Sequence, residues 1–300
     1  MADHVVVHQA DLAYAVPALY DGRSSGFTRA GAVGETAGAV HTGFGICRLD
    51  AAGGIDPHVH SFEESFYVLD GSPVVDTPEG SFALRPGDYG VIPVGMAHSW
   101  RNLAEGAATW AEMQAPTPRA RFAGDTFFTA PVPQGDPVSI DVRDPRTRSF
   151  GHIDPENMDP SRQSQEMLAV SASMRTALLV YSGITVKMMV DSDLGSQLAT
   201  MFMVQYEPGG VAGAHDHPLE ETYLIVDGEV DATFDGARYH LRPGDIAWAG
   251  VGCVHEFSND TGALVRWLET QAPMPPARHS YRFARDWGYL TEALDGDART

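Results

Sequence analysis

One pattern is written twice in this chain, at a constant separation of 157 residues. His58, His60, Glu64 and His98 recur as His215, His217, Glu221 and His255. The same offset relates Gly71 to Gly228, Gly87 to Gly244, Gly95 to Gly252, Asn102 to Asn259 and Trp110 to Trp267. A repeat that keeps turn glycines in register along with polar side chains demands two copies of one fold, not a single large core. Each copy also keeps a complete set of potential metal ligands.

Within each copy the text is short apolar runs cut by turns. SFYVLDG, GSFALRPGD and AHSWRN in the first copy, and ETYLIVDG, ARYHLRPGD and CVHEFSN in the second, fit strands with their punctuation. Asp70-Gly71 and Asp227-Gly228 are tight-turn pairs, and Asp88 and Asp245, after Pro-Gly, are expected to stabilise turns through their carboxylates. Such spacing excludes a helical bundle and predicts an all-β protein whose two copies are each a sandwich or a barrel. The expected organisation is an arm and edge strands over 1–41, a first barrel over 42–118 and a Pro/Asp/Gly-rich bridge over 119–197. A second barrel over 198–273 and a tail over 274–300 complete it. Thr176–Gly183 and Ile184–Val190 read as strands serving the second copy, and Tyr281, Phe283 and Trp287 are expected to pack on a barrel.

The chemistry follows from strand geometry. Residues two apart on an extended strand face one side, so His58 with His60, and His215 with His217, can present two imidazoles to one point. Glu64 and Glu221 follow on the next strand, and His98 and His255 come from distant strands that close the site only if the sheet curls. Three neutral imidazoles and one carboxylate suit a divalent transition metal, Fe(II) or Mn(II) first, with Ni, Cu or Zn as alternatives. Such a metal would keep open positions and act as a Lewis acid. Glu63 and Glu220, next to the ligand glutamates, are expected by alternation to face solvent or an interface.

With 40 acidic against 20 basic residues the formal net charge is -20, which argues against nucleic acid or an anionic membrane as partner. Lys187 is the only lysine, so almost every positive contact must come from arginine. The two cysteines, Cys47 and Cys253, lack metal-ligand spacing, and their scarcity fits a reducing compartment while leaving one disulfide open. Cys253, two residues before His255, reads as a small buried thiol, and His4, His8 and His41 read as surface or packing residues. With no basic leader and no apolar run of about 18 residues, a cytoplasmic protein is expected. Exposed strand edges leave homo-oligomerisation open.

These residues carry a resemblance to the cupin family, whose first motif is Gly, five residues, His-x-His, three or four residues, Glu, six residues and Gly. Gly209, His215, His217, Glu221 and Gly228 match it in full, whereas in the first copy Gly53 sits one place from the expected leading Gly. The second motif is matched by Gly87, Pro93, Gly95, His98 and Asn102. It returns as Gly244, Gly252, His255 and Asn259, with Gly250 in place of Pro. The resemblance implies two jelly-roll barrels, each with a metal inside one end, and covers neither arm, bridge nor tail. Within the superfamily it implies a small organic substrate, and three readings stay open. They are a dioxygenase acting on an enol, phenol or carboxylate with dioxygen as co-substrate, a non-oxidative decarboxylase, isomerase or aminohydrolase, and a non-catalytic metal-stabilised binding protein.

Beyond the ligands, strand parity nominates Tyr223 beside Glu221. Arg48 and Gln205, equivalent by the repeat, are candidates to bind a substrate carboxylate and a carbonyl or hydroxyl. Their competing reading is a rim salt bridge or a solvated strand face.

Overall fold

The computed structural model describes residues 4–141, 143–160, 181–274 and the backbone of 282–283. The expected packing of Tyr281 and Trp287, the side chain of Phe283, and the strand segment 176–180 lie outside the described residues. The chain forms two compact units, one of residues 11–154 and 188–201, the other of residues 1–10, 155–187 and 202–300. The amino-terminal arm is therefore divided between the units, and the bridge is shared as well.

Each unit is a curled, mainly antiparallel sheet, and the strand order of one repeats in the other. In the first the neighbours run Gly80–Ala83, Pro73–Thr77, His98–Asn102, Gly43–His60, Ala108–Ala115, Glu63–Asp70 and Asp88–Ile92. In the second they run Ala237–Leu241, Val230–Phe234, His255–Ser258, Thr200–Asp216, Val265–Ala272, Glu220–Asp227 and Ile246–Ala249. The duplication extends further than the motifs. Strand Ser24–Val33, paired to Gly43–His60, has its counterpart 157 residues on in Tyr181–Val190, paired to Thr200–Asp216. Gly26 and Gly183 hold positive φ at the same place, at 63° and 66°. Side-chain divergence, Phe-Thr-Arg against Ile-Thr-Val, hides that relationship in the sequence.

Alternation along these strands builds the cores. Phe66, Val68, Trp100 and Trp110 pack with Cys47, Leu49 and Phe82 in the first unit, and Tyr223, Ile225, Phe257 and Trp267 with Val204, Tyr206 and Phe234 in the second. Gly71 and Gly228 sit at φ 77° and 72°, as the tight turns require. Asp88 and Asp245 accept the Arg85 and Arg242 backbone N–H groups at 2.8 and 3.0 Å, in the turn-stabilising role expected of them. Among the described residues no helix is long and apolar enough to cross a membrane.

The departure at the leading glycine has a structural cost. Gly209 adopts φ 79°, and Ala52, its counterpart by offset, is held at φ 57°, in the left-handed region that an alanine Cβ resists. Ala52→Gly is therefore expected to stabilise the chain by roughly 0.5–1 kcal/mol, the relief of strain exceeding the added unfolded-state entropy. A urea midpoint unchanged or lowered would show that the strain is relaxed elsewhere.

Candidate metal centres

The long bent strand of each unit carries the His-x-His pair at its end, and a register shift turns that end toward the strand of the last histidine. The shift lies between Ile55 and His58 in one unit and between Ala212 and His215 in the other, leaving His58 opposite His98 and His215 opposite His255. This is how histidines 40 residues apart in sequence come to have rings 4.2 and 4.3 Å apart.

All six imidazoles are anchored in the same sense. Nδ1 of His58, His98, His215, His217 and His255 lies 2.7–3.0 Å from the carbonyls of Asp56, Met96, Gly213, Leu219 and Cys253. His60 Nδ1 lies 2.8 Å from Thr126 Oγ1, whose own hydroxyl donates to the Gly124 carbonyl. A proton on each Nδ1 satisfies these acceptors and leaves the Nε2 lone pairs for the centre, as in histidines that ligate metals. Burial first, and the neighbouring imidazoles second, hold His58 well below its ordinary pKa, so it stays neutral. The same causes bring His215 down to about 3.

In the first unit His58, His60, Glu64 and His98 bring four donor atoms within 4.8 Å of one another, all buried. Glu64 Oε2 is 3.3 Å from His60 Nε2 and 3.1 Å from His98 Nε2. Burial alone would raise the Glu64 pKa, but the adjoining His60 and His98 side chains outweigh it and keep the carboxylate ionised. Among the described residues Glu64 Oε1 and His60 Nε2 are buried without a hydrogen-bond partner. Orphaned polar atoms aimed at one point in a core are expensive unless a ligand satisfies them, so this donor set fits a divalent transition metal.

The second centre differs although its ligands are duplicated. His215, His217 and His255 cluster within 4.8 Å. Glu221 Oε2 approaches His217 at 2.8 Å and His255 at 3.3 Å, while both carboxylate oxygens also take donors from the protein, Tyr223 Oη and Gln271 Nε2. Burial would raise the Glu221 pKa, but His217 and His255 carry it well below the usual carboxylate range. Burial and the Glu221 charge push Tyr223 well above its ordinary pKa, so it remains a donor. Its counterpart by offset is Phe66, which has no hydroxyl, and Gln114 faces Arg29 at 3.3 Å. The first-centre glutamate therefore lacks both extra donors.

Arg29 accounts for a further asymmetry. It lies in the first unit, its side chain 16% exposed, with Nε 2.5 Å from Glu112 Oε2. Burial would lower its pKa, but Glu112 raises it. Its counterpart in the duplicated strand is Val186, and among the described residues Glu269, the partner of Glu112 by offset, pairs with no cation and accepts Trp267 Nε1–H at 2.9 Å. Among the described residues Trp110 Nε1 is left buried without a partner. Burial first, then the Glu221 charge, pushes Glu269 well above the usual carboxyl range. A carboxyl raised in this way leaves stability intact below the unfolded carboxylate range near about 4.3, and stability falls as pH rises from there toward the folded pKa. Glu269→Gln is expected to raise the Tm of the chelator-treated chain at pH 8 by at least about 2 °C while leaving it unmoved near pH 4. Equal shifts at both values would refute the assignment.

Three expectations about neighbouring residues need correction. Arg48 points out of the barrel, about half exposed and 3.2 Å from Asp50, because Cys47 and Leu49 take the inward positions. Gln205 is buried on the opposite side from Val204 and Tyr206, which face the core, and it donates to the Met158 carbonyl and to Glu207 at 3.2 and 3.1 Å. Glu63 and Glu220 are 3% exposed, not solvent groups. Glu63 accepts the Gln197 and Leu198 backbone N–H groups at 2.7 and 2.9 Å and lies 2.7 Å from Ser196 Oγ. Thr126 and Arg29 are the neighbours that sequence reading missed, whereas Gln271 stands out in the sequence as the repeat partner of Gln114 near the end of its barrel.

Comparison with known proteins agrees with this geometry. The Cupin domain family matches the chain twice, over residues 45–113 and 202–270, each match spanning the curled sheet and its ligand set. The chain is a bicupin of the cupin superfamily. The solved structure of oxalate decarboxylase from Bacillus subtilis at pH 4.6 aligns with 97% of this bicupin and 82% of that chain, at TM-score 0.62 and 16% identity. The formate complex of the Lactobacillus farciminis oxalate decarboxylase aligns with 99% and 94%, at 0.64 and 15%. At such identity the likeness is one of fold. A curated relative, the HTH-type transcriptional regulator PuuR of Escherichia coli (strain K12), is 29% identical over 92 residues, 30% of this chain. That match spans about half the length of the relative, 49%.

Proposed function

We propose that this bicupin is a metal-dependent enzyme acting on a small carboxylate- or enol-bearing molecule, with the first centre as its working site. The observation that carries the reading is the convergence of His58, His60, Glu64 and His98 with a buried carboxylate oxygen, Glu64 Oε1, that no group among the described residues satisfies. These four residues would hold Mn(II) or Fe(II), and Ni, Cu or Zn would accept the same donors. When bound, such a metal supplies Lewis acidity to a substrate oxygen. The chain's own residues do the rest. Anchored Nδ1 atoms keep the imidazoles oriented, and Phe62 stacked 4.1 Å from the His60 ring helps keep water out. The Arg29–Glu112 ion pair lies buried close enough to feel Glu64 and His98.

Of the two reaction classes, we place non-oxidative carbon–carbon cleavage of a carboxylate first. Its support is the likeness of fold, over nearly the whole chain, to oxalate decarboxylases, one of which is described as having Mn(II) centres. Dioxygenation is the second reading, supported by the aromatic lining of Phe66, Trp100 and Trp110. Tyr223 is proposed to act by holding Glu221 in place, not by reacting.

The test is turnover of oxalate and other small carboxylates, phenols and enols by chain purified without added metal, with dioxygen present and rigorously removed. Carbon dioxide release that survives anaerobiosis is expected. Product that appears only with consumption of dioxygen would overturn the decarboxylase reading in favour of the dioxygenase. Metal-loaded chain that turns over nothing while chelation lowers its Tm would leave a metal-stabilised binding protein.

A further inference from the structure

A third set of donors lies outside the two duplicated centres. His4, Asp235 and Cys253 bring one nitrogen, one oxygen and one sulfur within 4.8 Å of one another. His4 belongs to the strand His4–Val7, which pairs with Ile246–Ala249 and sets His4 opposite Ala249. Asp235 opens the Asp-Gly turn after Val230–Phe234, and Cys253 stands two residues before His255. At the equivalent positions of the first repeat stand Pro78 and Met96, so the set is no relic of the duplication.

Ordinary packing explains each residue in part. Asp235 takes φ 47°, which Asp tolerates in such turns, and its Oδ1 accepts the Val254 N–H at 3.0 Å. His4 stacks on Phe234 at 5.6 Å, and its Nε2 lies 2.9 Å from the Tyr239 hydroxyl. Packing does not explain His4 Nδ1. The His4 side chain is 8% exposed, and Nδ1 is buried with no hydrogen-bond partner among the described residues. The nearest Asp235 oxygen, Oδ2, stands 4.0 Å away, too far for a hydrogen bond. An unsatisfied buried ring nitrogen is costly, whereas an ion between these atoms would satisfy it with small side-chain rotations. With Nε2–H donating to Tyr239, the lone pair is on Nδ1, 4.0 Å from Asp235 Oδ2, in the donor set that Cys253 completes. A partner on the far nitrogen is what orients a ligating imidazole.

We propose that His4 Nδ1, Asp235 Oδ2 and Cys253 Sγ form a third metal site, selective for a borderline-soft divalent cation of the zinc class. Mixed nitrogen, sulfur and oxygen donors favour such an ion over the harder Mn(II). The Cys253 proton passes to water as the sulfur–metal bond forms, and Asp235, with 36% of its side chain exposed, leaves an entry path. Such an ion would clip the amino-terminal strand to the turn at Asp235 and to the segment leading into His255.

Cobalt(II) separates this site from the other two, because only here does sulfur ligate. Full-length chain, stripped with chelator and titrated with cobalt(II), is expected to develop a near-ultraviolet thiolate-to-cobalt band and to bind one equivalent beyond the two His/Glu centres. His4→Ala and Cys253→Ser should abolish the band, Asp235→Asn should weaken binding at least about 10-fold, and Cys47→Ala should leave it intact. Because His4→Ala removes no ligand of the second centre, its elemental analysis should still show the other two equivalents. Absence of the band in the unaltered chain, its survival in His4→Ala, or its loss in Cys47→Ala would overturn the proposal. None of these readouts depends on turnover.

Discussion

Replacing Glu64 by Gln is expected to weaken metal binding at the first centre by at least about 100-fold, more than the 10–100-fold cost of losing a partner that only orients a ligand. The physical reason is charge. Glu64 is the single anion among the four donors, is held ionised by His60 and His98, and lies at the centre of the orphaned atoms. Gln keeps the shape and removes the charge that offsets a divalent ion. The corresponding Glu221→Gln should have a smaller effect, within about 10-fold, because Tyr223 and Gln271 already share that carboxylate. Titration of each chelator-stripped variant with manganese(II), followed by calorimetry and elemental analysis, measures both. Equal losses at the two positions would remove the argument that the first centre is the working one, and a loss below about 3-fold at Glu64 would remove the case for a metal there.

Replacing Glu63 by Ala is expected to destabilise its unit by about 3–5 kcal/mol, among the largest effects open to a single non-ligand substitution. One buried carboxylate accepts two backbone N–H groups and faces a serine hydroxyl on the segment 196–198, and truncation leaves the backbone donors without an acceptor. Glu63→Gln, which keeps one acceptor oxygen, should lose roughly half as much. Urea unfolding followed by tryptophan fluorescence checks both, since Trp100 and Trp110 are in the same unit. A change under about 1 kcal/mol in Glu63→Ala would mean that the segment is held by other contacts.

Glu63 shows where reading a sequence by alternation stops. A side chain on the outer face of a strand is assigned to solvent unless something covers it, and the cover here comes from residues more than 130 positions later. Arg48 and Gln205 fail for a related reason. The repeat made them equivalent, but parity has to be counted from a known inward residue, and the bulge before His58 resets the count between Arg48 and the ligands. Arg29 was invisible because its duplicated strand has kept turn residues and lost its side chains, leaving Val186 at the equivalent place.

What local spacing determines here is the duplication, the all-β architecture and the two sets of candidate ligands, because glycine turns and His-x-His pairs act over a few residues of backbone. What the tertiary structure alone decided is how unlike the two copies became. Whether a glutamate meets Tyr and Gln or stands with orphaned atoms, whether a buried acid finds an arginine, and whether His4 meets Asp235 and Cys253 all depend on side chains from strands far apart in the chain. Such meetings are set by sheet register and curl, which no short stretch of sequence encodes.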